Sequence, residues 1–96
     1  KMSKITEQCI CLHKSKHLYD DKGKFDGSEY CEKESDADIV AVFLQQHYEN
    51  QDTFDVLEEK DFELEDYKTF DAAYKAAENY VDELQKKYSN AGYDEY

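Results

Sequence analysis

Hydrophobic and polar residues alternate near the start of the chain. The alternation from Ile5 to Leu12 predicts a β-strand. A turn is predicted from Asp20 to Lys24, because Gly23 can adopt positive φ. A second strand is predicted from Lys24 to Glu32, with a bulge or a further turn at Asp26-Gly27, so the two strands form a hairpin. Alternation divides the first strand between two faces, with Cys9, Cys11 and His13 on one and Ile10 and Leu12 on the other.

The middle of the chain predicts a helix followed by a second hairpin. Ser35-Asp36-Ala37-Asp38 approximates a capping box, and the apolar residues after it have helical spacing, so the helix is predicted to end near Asn50. Thr53 to Glu58 and Asp61 to Asp66 alternate apolar and acidic residues, which predicts two strands joined by a turn at Glu59-Lys60. A short helical turn from Thr53 is the alternative, because Glu59-Lys60 lacks Gly or Asn.

The last third of the chain predicts a long amphipathic helix. Thr69 is its predicted N-cap, Asn90-Ala91-Gly92 ends it, and residues 93–96 form a tail. The predicted order is therefore ββαββα, an α+β fold in which two helices lie on one side of an antiparallel sheet. Residues 1–96 are expected to form one small domain. The apolar stripe of this last helix consists of Phe70, Ala73, Tyr74, Ala77, Tyr80, Val81, Leu84 and Tyr88.

Charge changes this picture more than any other feature of the composition. The chain has 24 Asp and Glu residues, 12 Lys and no Arg, which gives a formal net charge of −12. Residues 1–24 contain six lysines and three acids, so the excess of acids lies after Lys24. A surface of this sign repels polyanions and attracts basic surfaces, so we expect a basic protein partner and no direct binding of nucleic acid.

Cysteine and histidine near the first hairpin offer one candidate metal site. Cys9, Cys11 and His13 alternate along the predicted strand, with Cys31 across the hairpin and His17 near. Zinc takes such donors, but Cys-x-Cys-x-His is not the usual Cys-x₂₋₄-Cys spacing. The alternative is that the cysteines are small packing residues on a half-buried sheet, and on that interpretation no metal or other cofactor is expected.

Catalytic and targeting motifs are absent from the sequence. There is no Gly-rich phosphate loop, no Gly-x-Ser-x-Gly and no His-Glu-x-x-His, so we expect a protein that is not an enzyme. No apolar run approaches the roughly 20 residues of a membrane span, and no membrane association is expected. Three cysteines without an apolar leader indicate free thiols in a reducing cytoplasm.

The acids of the second hairpin and the last helix are the candidate partner-binding residues. Carboxylates two apart on a strand lie about 6.5–7 Å apart, and those four apart on a helix about 6 Å apart. Both spacings are comparable with those of phosphates along a nucleic-acid strand, and a solvated acidic face that keeps the protein soluble is the alternative. The predicted contact residues are Glu58, Glu59, Asp61, Glu63, Glu65, Asp66, Glu78, Asp82 and Glu83.

Tyrosine supplies a second signal of the same kind. Tyr is enriched at protein interfaces because it combines apolar area with a polar tip, and half-buried sheet positions are the alternative explanation. The tyrosines that fit no core period are Tyr19, Tyr30, Tyr48, Tyr67, Tyr93 and Tyr96.

In size, acidity, lack of Arg, richness in Tyr and Lys, and predicted α+β layout, the chain resembles small phage-encoded anti-defence proteins. These include anti-CRISPR and anti-restriction inhibitors, many of which are DNA mimics. The resemblance implies an inhibitor that acts in the cytoplasm of a bacterial host cell. It would bind the basic nucleic-acid-binding surface of a CRISPR or restriction nuclease. Two alternatives remain: a non-enzymatic protein-interaction module or homodimer whose acidity serves solubility, and a small zinc-bound domain.

Overall fold

A computed structural model describes residues 4–96 and shows an α+β fold. Five strands and two α-helices occur in these residues, and a 3₁₀ turn at Glu34–Asp36 lies between the second and third strands. The elements in chain order are β1 (Ile5–Tyr19), β2 (Phe25–Tyr30), β3 (Ile39–Tyr48), β4 (Phe54–Glu63), α1 (Leu64–Tyr67), α2 (Phe70–Lys87) and β5 (Gly92–Glu95).

The five strands form one sheet with β1 and β3 at its centre. Its four long strands are antiparallel in the order β2-β1-β3-β4. β3 pairs with β1 from Ile5 to Ser15, so the other edge of β1 is shared by two strands. β5 pairs there in parallel with residues 9–12, and β2 pairs there with residues 15–19. β4 is the outermost strand on the opposite side of the sheet.

The apolar core lies between the sheet and α2. Ile10 pairs with Leu44 and Leu12 pairs with Val42, and all four side chains are almost fully buried. The same register places Phe62 of β4 on this face. We call this side of the sheet the helix-covered face and the other side the uncovered face. The helix contributes four buried side chains to the core, Ala73, Ala77, Val81 and Leu84.

The predicted helix from Ser35 to Asn50 is wrong. The capping sequence forms only the 3₁₀ turn, and β3 begins at Ile39. β3 lies between β1 and β4 and is covered by α2 on one face, so apolar residues occur at consecutive positions from Ile39 to Leu44. Such a run matches a helical stripe as well as a central strand, and the β-branched Ile39 and Val40 favour the strand.

The predicted second hairpin is also wrong. Phe54 to Glu63 is one continuous strand that pairs with β3, with a bulge at Leu57 instead of a turn at Glu59-Lys60. The helical turn from Thr53 is wrong for the same reason. Residues 64–67 then form α1. The predicted order ββαββα is therefore corrected to ββββααβ, because β4 stays paired with β3 through Glu59 and Lys60, where the turn was predicted.

Predictions that depend on local signals are confirmed. Gly23 has φ of 80° and its N–H donates to the Asp20 carbonyl over 2.9 Å, which closes the first turn. The shifted register at Gly27, where φ is 91°, is the predicted bulge. Thr69 caps α2, because its Oγ1 accepts from the Ala72 N–H over 3.1 Å. The predicted tail, in contrast, forms β5 and joins the edge of β1.

Candidate functional site

The uncovered face is lined by polar, aromatic and acidic side chains. Strand register determines its composition, because side chains alternate between the two faces. All three histidines of the chain lie on it. Its central residues are Cys9, Cys11, His13, Ser15 and His17 of β1, Ile39, Ala41, Phe43, Gln45 and His47 of β3, and Glu59, Asp61 and Glu63 of β4.

The lysines within the strands all lie on the helix-covered face. Lys14 pairs with the buried Val40, and Lys16 forms a salt bridge of 3.3 Å with Glu29 of β2. Lys60 places its Nζ 5.2 Å from the ring centroid of Phe62. The described strands therefore present no lysine on the uncovered face. The acids that register places there are Glu7, Glu59, Asp61, Glu63 and Asp94.

β4 carries a row of three of these acids at the edge of the sheet. Glu59, Asp61 and Glu63 pair with successive positions of β3 on the uncovered face. Their Cα atoms therefore repeat about every 6.5–7 Å. Glu63 Oε1 lies 2.7 Å from His17 Nε2. Glu59 and Asp61 are exposed and form no salt bridge within residues 4–96. Charged residues also protect an edge strand from pairing with other chains, but that role does not require a single sign of charge.

Glu58 lies on the other side of β4 from this row. Its Oε2 accepts hydrogen bonds from Lys87 Nζ over 2.8 Å and from Tyr88 Oη over 2.7 Å. These bonds, with that of Lys87 the stronger, lower the pKa of Glu58. Glu83 lies on the same flank of α2. Burial first, and then the charges of Glu58 and Glu83, raise the pKa of Tyr80, so both carboxylates lie near this tyrosine. Glu58 is thus bound to the helix layer and is separated from Glu59.

The remaining predicted contact residues lie on the two helices. Glu65 and Asp66 are exposed in the first turn of α1. Glu78 and Asp82 lie on the flank of α2 beside β5, since burial first and then their charges raise the pKa of Tyr93. The nine predicted acids therefore do not form one surface. Of the nine, Glu59, Asp61 and Glu63 share the uncovered face.

Aromatic side chains form two groups on the uncovered face. In the sequence, Tyr30 and Tyr96 fit no core period. In the structure both contact His13 edge to face, with ring centroids 6.2 Å and 6.4 Å from it. Tyr19 and Phe25 form a second group around His17. These groups combine residues from distant segments, so only the strand pairing could have revealed them.

The cysteines do not form the zinc site considered from the sequence. Cys9 Sγ donates to Asp94 Oδ2 over 3.3 Å and lies 3.9 Å from Cys11 Sγ. Burial, and next the hydrogen bond to Asp94, raise the pKa of the Cys9 thiol to about 12. Cys31 lies elsewhere, with Asp36 and Lys14 as its charged neighbours. No group of three or more His, Cys, Asp or Glu side chains in residues 4–96 is arranged to hold a metal ion.

Comparison of the chain with protein families, curated proteins and solved structures finds no match. In the part of the chain that the structure describes, no helix is long and apolar enough to cross a membrane.

Proposed function

We propose that this protein is a non-enzymatic inhibitor that binds the basic nucleic-acid-binding surface of a bacterial defence nuclease of the CRISPR or restriction class. The uncovered face is the proposed contact surface. One observation carries the proposal: register places five acids on this face, and the lysines of the strands all lie on the other. A face of one charge sign is what a basic groove attracts.

The acid row of β4 is the part of this surface that can replace phosphates. Glu59 and Asp61 are exposed on a strand whose outer edge is free of other strands in the described residues. The strand backbone is held by β3 along its whole length, so the two carboxylates are presented without a large loss of conformational freedom on binding. Lys and Arg side chains that normally bind phosphates would pair with them.

Electrostatic attraction of this kind has two consequences. The chain's net charge of −12 speeds its encounter with a basic partner, and added salt weakens that attraction over a Debye length of about 10 Å at 0.1 M. The same charge repels DNA and RNA, so the inhibitor competes with nucleic acid for the nuclease and does not bind the nucleic acid itself.

A cleavage assay tests the proposal. Purified CRISPR effector nucleases and restriction endonucleases are incubated with increasing amounts of the chain before labelled DNA is added. We expect stoichiometric inhibition of a member of the panel, weaker inhibition at higher salt, and protection of the nuclease when DNA is added first. If no nuclease is inhibited or bound at low salt, the proposal is wrong.

Two charge-reversed variants locate the contact. Glu59→Lys with Asp61→Lys alters the uncovered face, and Glu78→Lys with Asp82→Lys alters α2. Both variants change the net charge equally, so non-specific attraction falls equally in the two. The first variant is expected to inhibit at least about tenfold less well than the second. Equal inhibition by the two variants would place the contact elsewhere.

A further inference from the structure

We propose that His13, Tyr30 and Tyr96 form an aromatic cage that binds an arginine side chain of the partner's basic surface. The partner is the one named in the proposed function, on which this inference rests. The cage supplies a specific anchor on the same face as the acid row of β4, at the other side of the sheet, and the acids act over a longer range.

The three rings enclose a corner. Tyr30 and Tyr96 lie with their centroids 6.5 Å apart at an interplanar angle of 80°. Each also meets the His13 ring edge to face, at 63° for Tyr30 and 70° for Tyr96. The three side chains line a shallow cavity of about 330 Å³. Three rings at steep angles present their faces and edges to one small volume, as in the cages that bind cationic groups.

The cage arises from the way two strands share one edge of β1. β5 ends against residue 12 of β1, and β2 ends against residue 15. His13 lies in the gap between these two contacts. Tyr96 follows β5 directly, and its N–H donates to the Leu12 carbonyl over 2.9 Å. Tyr30 is the last residue of β2 and pairs with Ser15.

Hydrogen bonds and packing hold the walls in place before a ligand binds. His13 Nδ1 lies 3.0 Å from the hydroxyl of Ser15, which is buried. Phe43 packs edge to face against the other side of His13 at 5.2 Å. Lys14 Nζ donates to the Tyr96 carbonyl over 3.0 Å. A site that is already ordered loses little entropy when it binds, which favours a ligand of fixed shape.

Charge around the cage selects a cation. Asp94 pairs with Cys11 in register and lies two residues before Tyr96, so it stands beside the cage on the uncovered face. Tyr30 and Tyr96 are 50% and 54% exposed although they are large and mostly apolar. Solvent-exposed rings next to an acid are suited to a group that combines a flat apolar surface with positive charge.

Arginine fits this site better than lysine does. Its planar guanidinium stacks on aromatic rings and bonds to carboxylates through a fixed set of donors, whereas the ammonium group of lysine is compact and strongly hydrated. Basic surfaces that bind nucleic acid use arginine to contact phosphates. An arginine of the partner that enters the cage is thereby withdrawn from its phosphate contact.

Binding of a short arginine-rich peptide tests the cage on the full chain. The peptide is labelled, and its affinity is measured by fluorescence anisotropy at low salt. A lysine peptide and a citrulline peptide of the same length serve as comparisons, because citrulline keeps the shape of arginine and lacks its charge. The arginine peptide is expected to bind most tightly and the citrulline peptide least.

The test variant is Tyr30→Leu with Tyr96→Leu, which keeps apolar area and removes two rings. The matched control is Tyr19→Leu with Phe25→Leu, which removes two rings of similar exposure, 61% and 62%, from the same face. The cage variant is expected to bind the arginine peptide about tenfold more weakly than the wild type, and the control variant is expected to match the wild type. Equal affinity of the two variants, or equal affinity for arginine and lysine peptides, would overturn the cage.

Two further outcomes separate the cage from the proposed function. Cage-dependent binding of the arginine peptide without inhibition of any nuclease would leave the cage standing and refute the proposed function. If the cage variant inhibits a nuclease as strongly as the wild type does, the cage is refuted and the proposed function stands. A wild-type dimer in sedimentation that the cage variant dissociates would show that a second copy occupies this face, and the arginine site would then be wrong.

Discussion

The two faces of the sheet differ in the burial and the charge of their side chains. On the helix-covered face, Leu12, Leu44 and Phe62 are buried under α2, and lysines surround that core. On the uncovered face, rings contact one another edge to face in the open, and five acids have no lysine beside them in the strands. The first face contains the hydrophobic core cluster.

This difference indicates which face is available for a partner. Alternation along the strands places their lysines on one face only, whereas their acids occur on both faces. Lys14, Lys16 and Lys60 could have neutralised the uncovered face if each were moved by one position. Instead they lie on the other side, where Lys16 forms a salt bridge with Glu29. A face left acidic and aromatic in this way is suited to a basic protein surface.

Truncating one side chain on each face should lower the free energy of unfolding more on the helix-covered face than on the uncovered face. Leu44 is fully buried in β3, so Leu44→Ala is expected to lower the free energy of unfolding by about 2–5 kcal/mol. Phe54 is 43% exposed on the uncovered face, and Phe54→Ala is expected to lower it by about 0.5–1 kcal/mol. Urea unfolding measures both. A loss for Phe54→Ala that equals that for Leu44→Ala would mean that the uncovered face is covered in solution.

The reactivity of the Cys9 thiol tests whether β5 holds its place beside the uncovered face. A pKa of about 12 for Cys9, against an ordinary value of 9.0, reduces its thiolate about a thousandfold near pH 8, and alkylation should slow by the same factor. The rate is followed by mass spectrometry, with the urea-unfolded chain as control. Asp94→Asn, which removes the charge that accepts the Cys9 hydrogen bond, is expected to recover part of the rate. Native modification as fast as in urea would show that β5 does not hold its place beside Cys9.

A smaller effect concerns Glu58, whose pKa is lowered by Lys87 and Tyr88 on the helix-covered side. A lowered pKa in the folded state gives stability that is present above the ordinary value of 4.5 and is lost as pH falls through the lowered value. Glu58→Gln should therefore be less stable than the wild type at neutral pH, and the difference should vanish in acid. Urea midpoints measured from about pH 7 to about pH 3 test this.

The matched change on the uncovered face is Glu59→Gln. Its carboxylate forms no salt bridge within the described residues, so the variant should not be destabilised at neutral pH. A difference between Glu58→Gln and the wild type that stays constant with pH would contradict the role given to the Lys87 contact.

Local signals in the sequence predicted the elements that depend on neighbours in the chain. Thr69 and the apolar stripe after it define α2, and Gly23 defines the first turn. β3 could not be predicted in this way, because every residue from Ile39 to Leu44 is apolar, on the uncovered face as well as under α2, so the sequence shows no alternation. Whether these residues form a strand depends on pairing with β1, which is distant in sequence, and with β4, which follows β3 in the chain.

The candidate site was predictable in part for the same reason. Glu59, Asp61 and Glu63 could be identified because side chains two apart on a strand lie on the same face, whichever face of the sheet that is. Glu58, predicted with them, lies on the other side of β4, where it is bonded to Lys87. The ring group around His13 depends on long-range pairing of two strands with β1, which no local pattern encodes.

A titration of the isotopically labelled chain with the arginine-rich peptide, followed by NMR of its amide groups, tests most directly whether the uncovered face binds basic partners. We expect the largest shifts at His13, Tyr30, Tyr96 and Asp61, and much smaller shifts at Glu78 and Asp82 on the flank of α2. Largest shifts on α2, or shifts spread evenly over the acids of both faces, would contradict binding at the uncovered face.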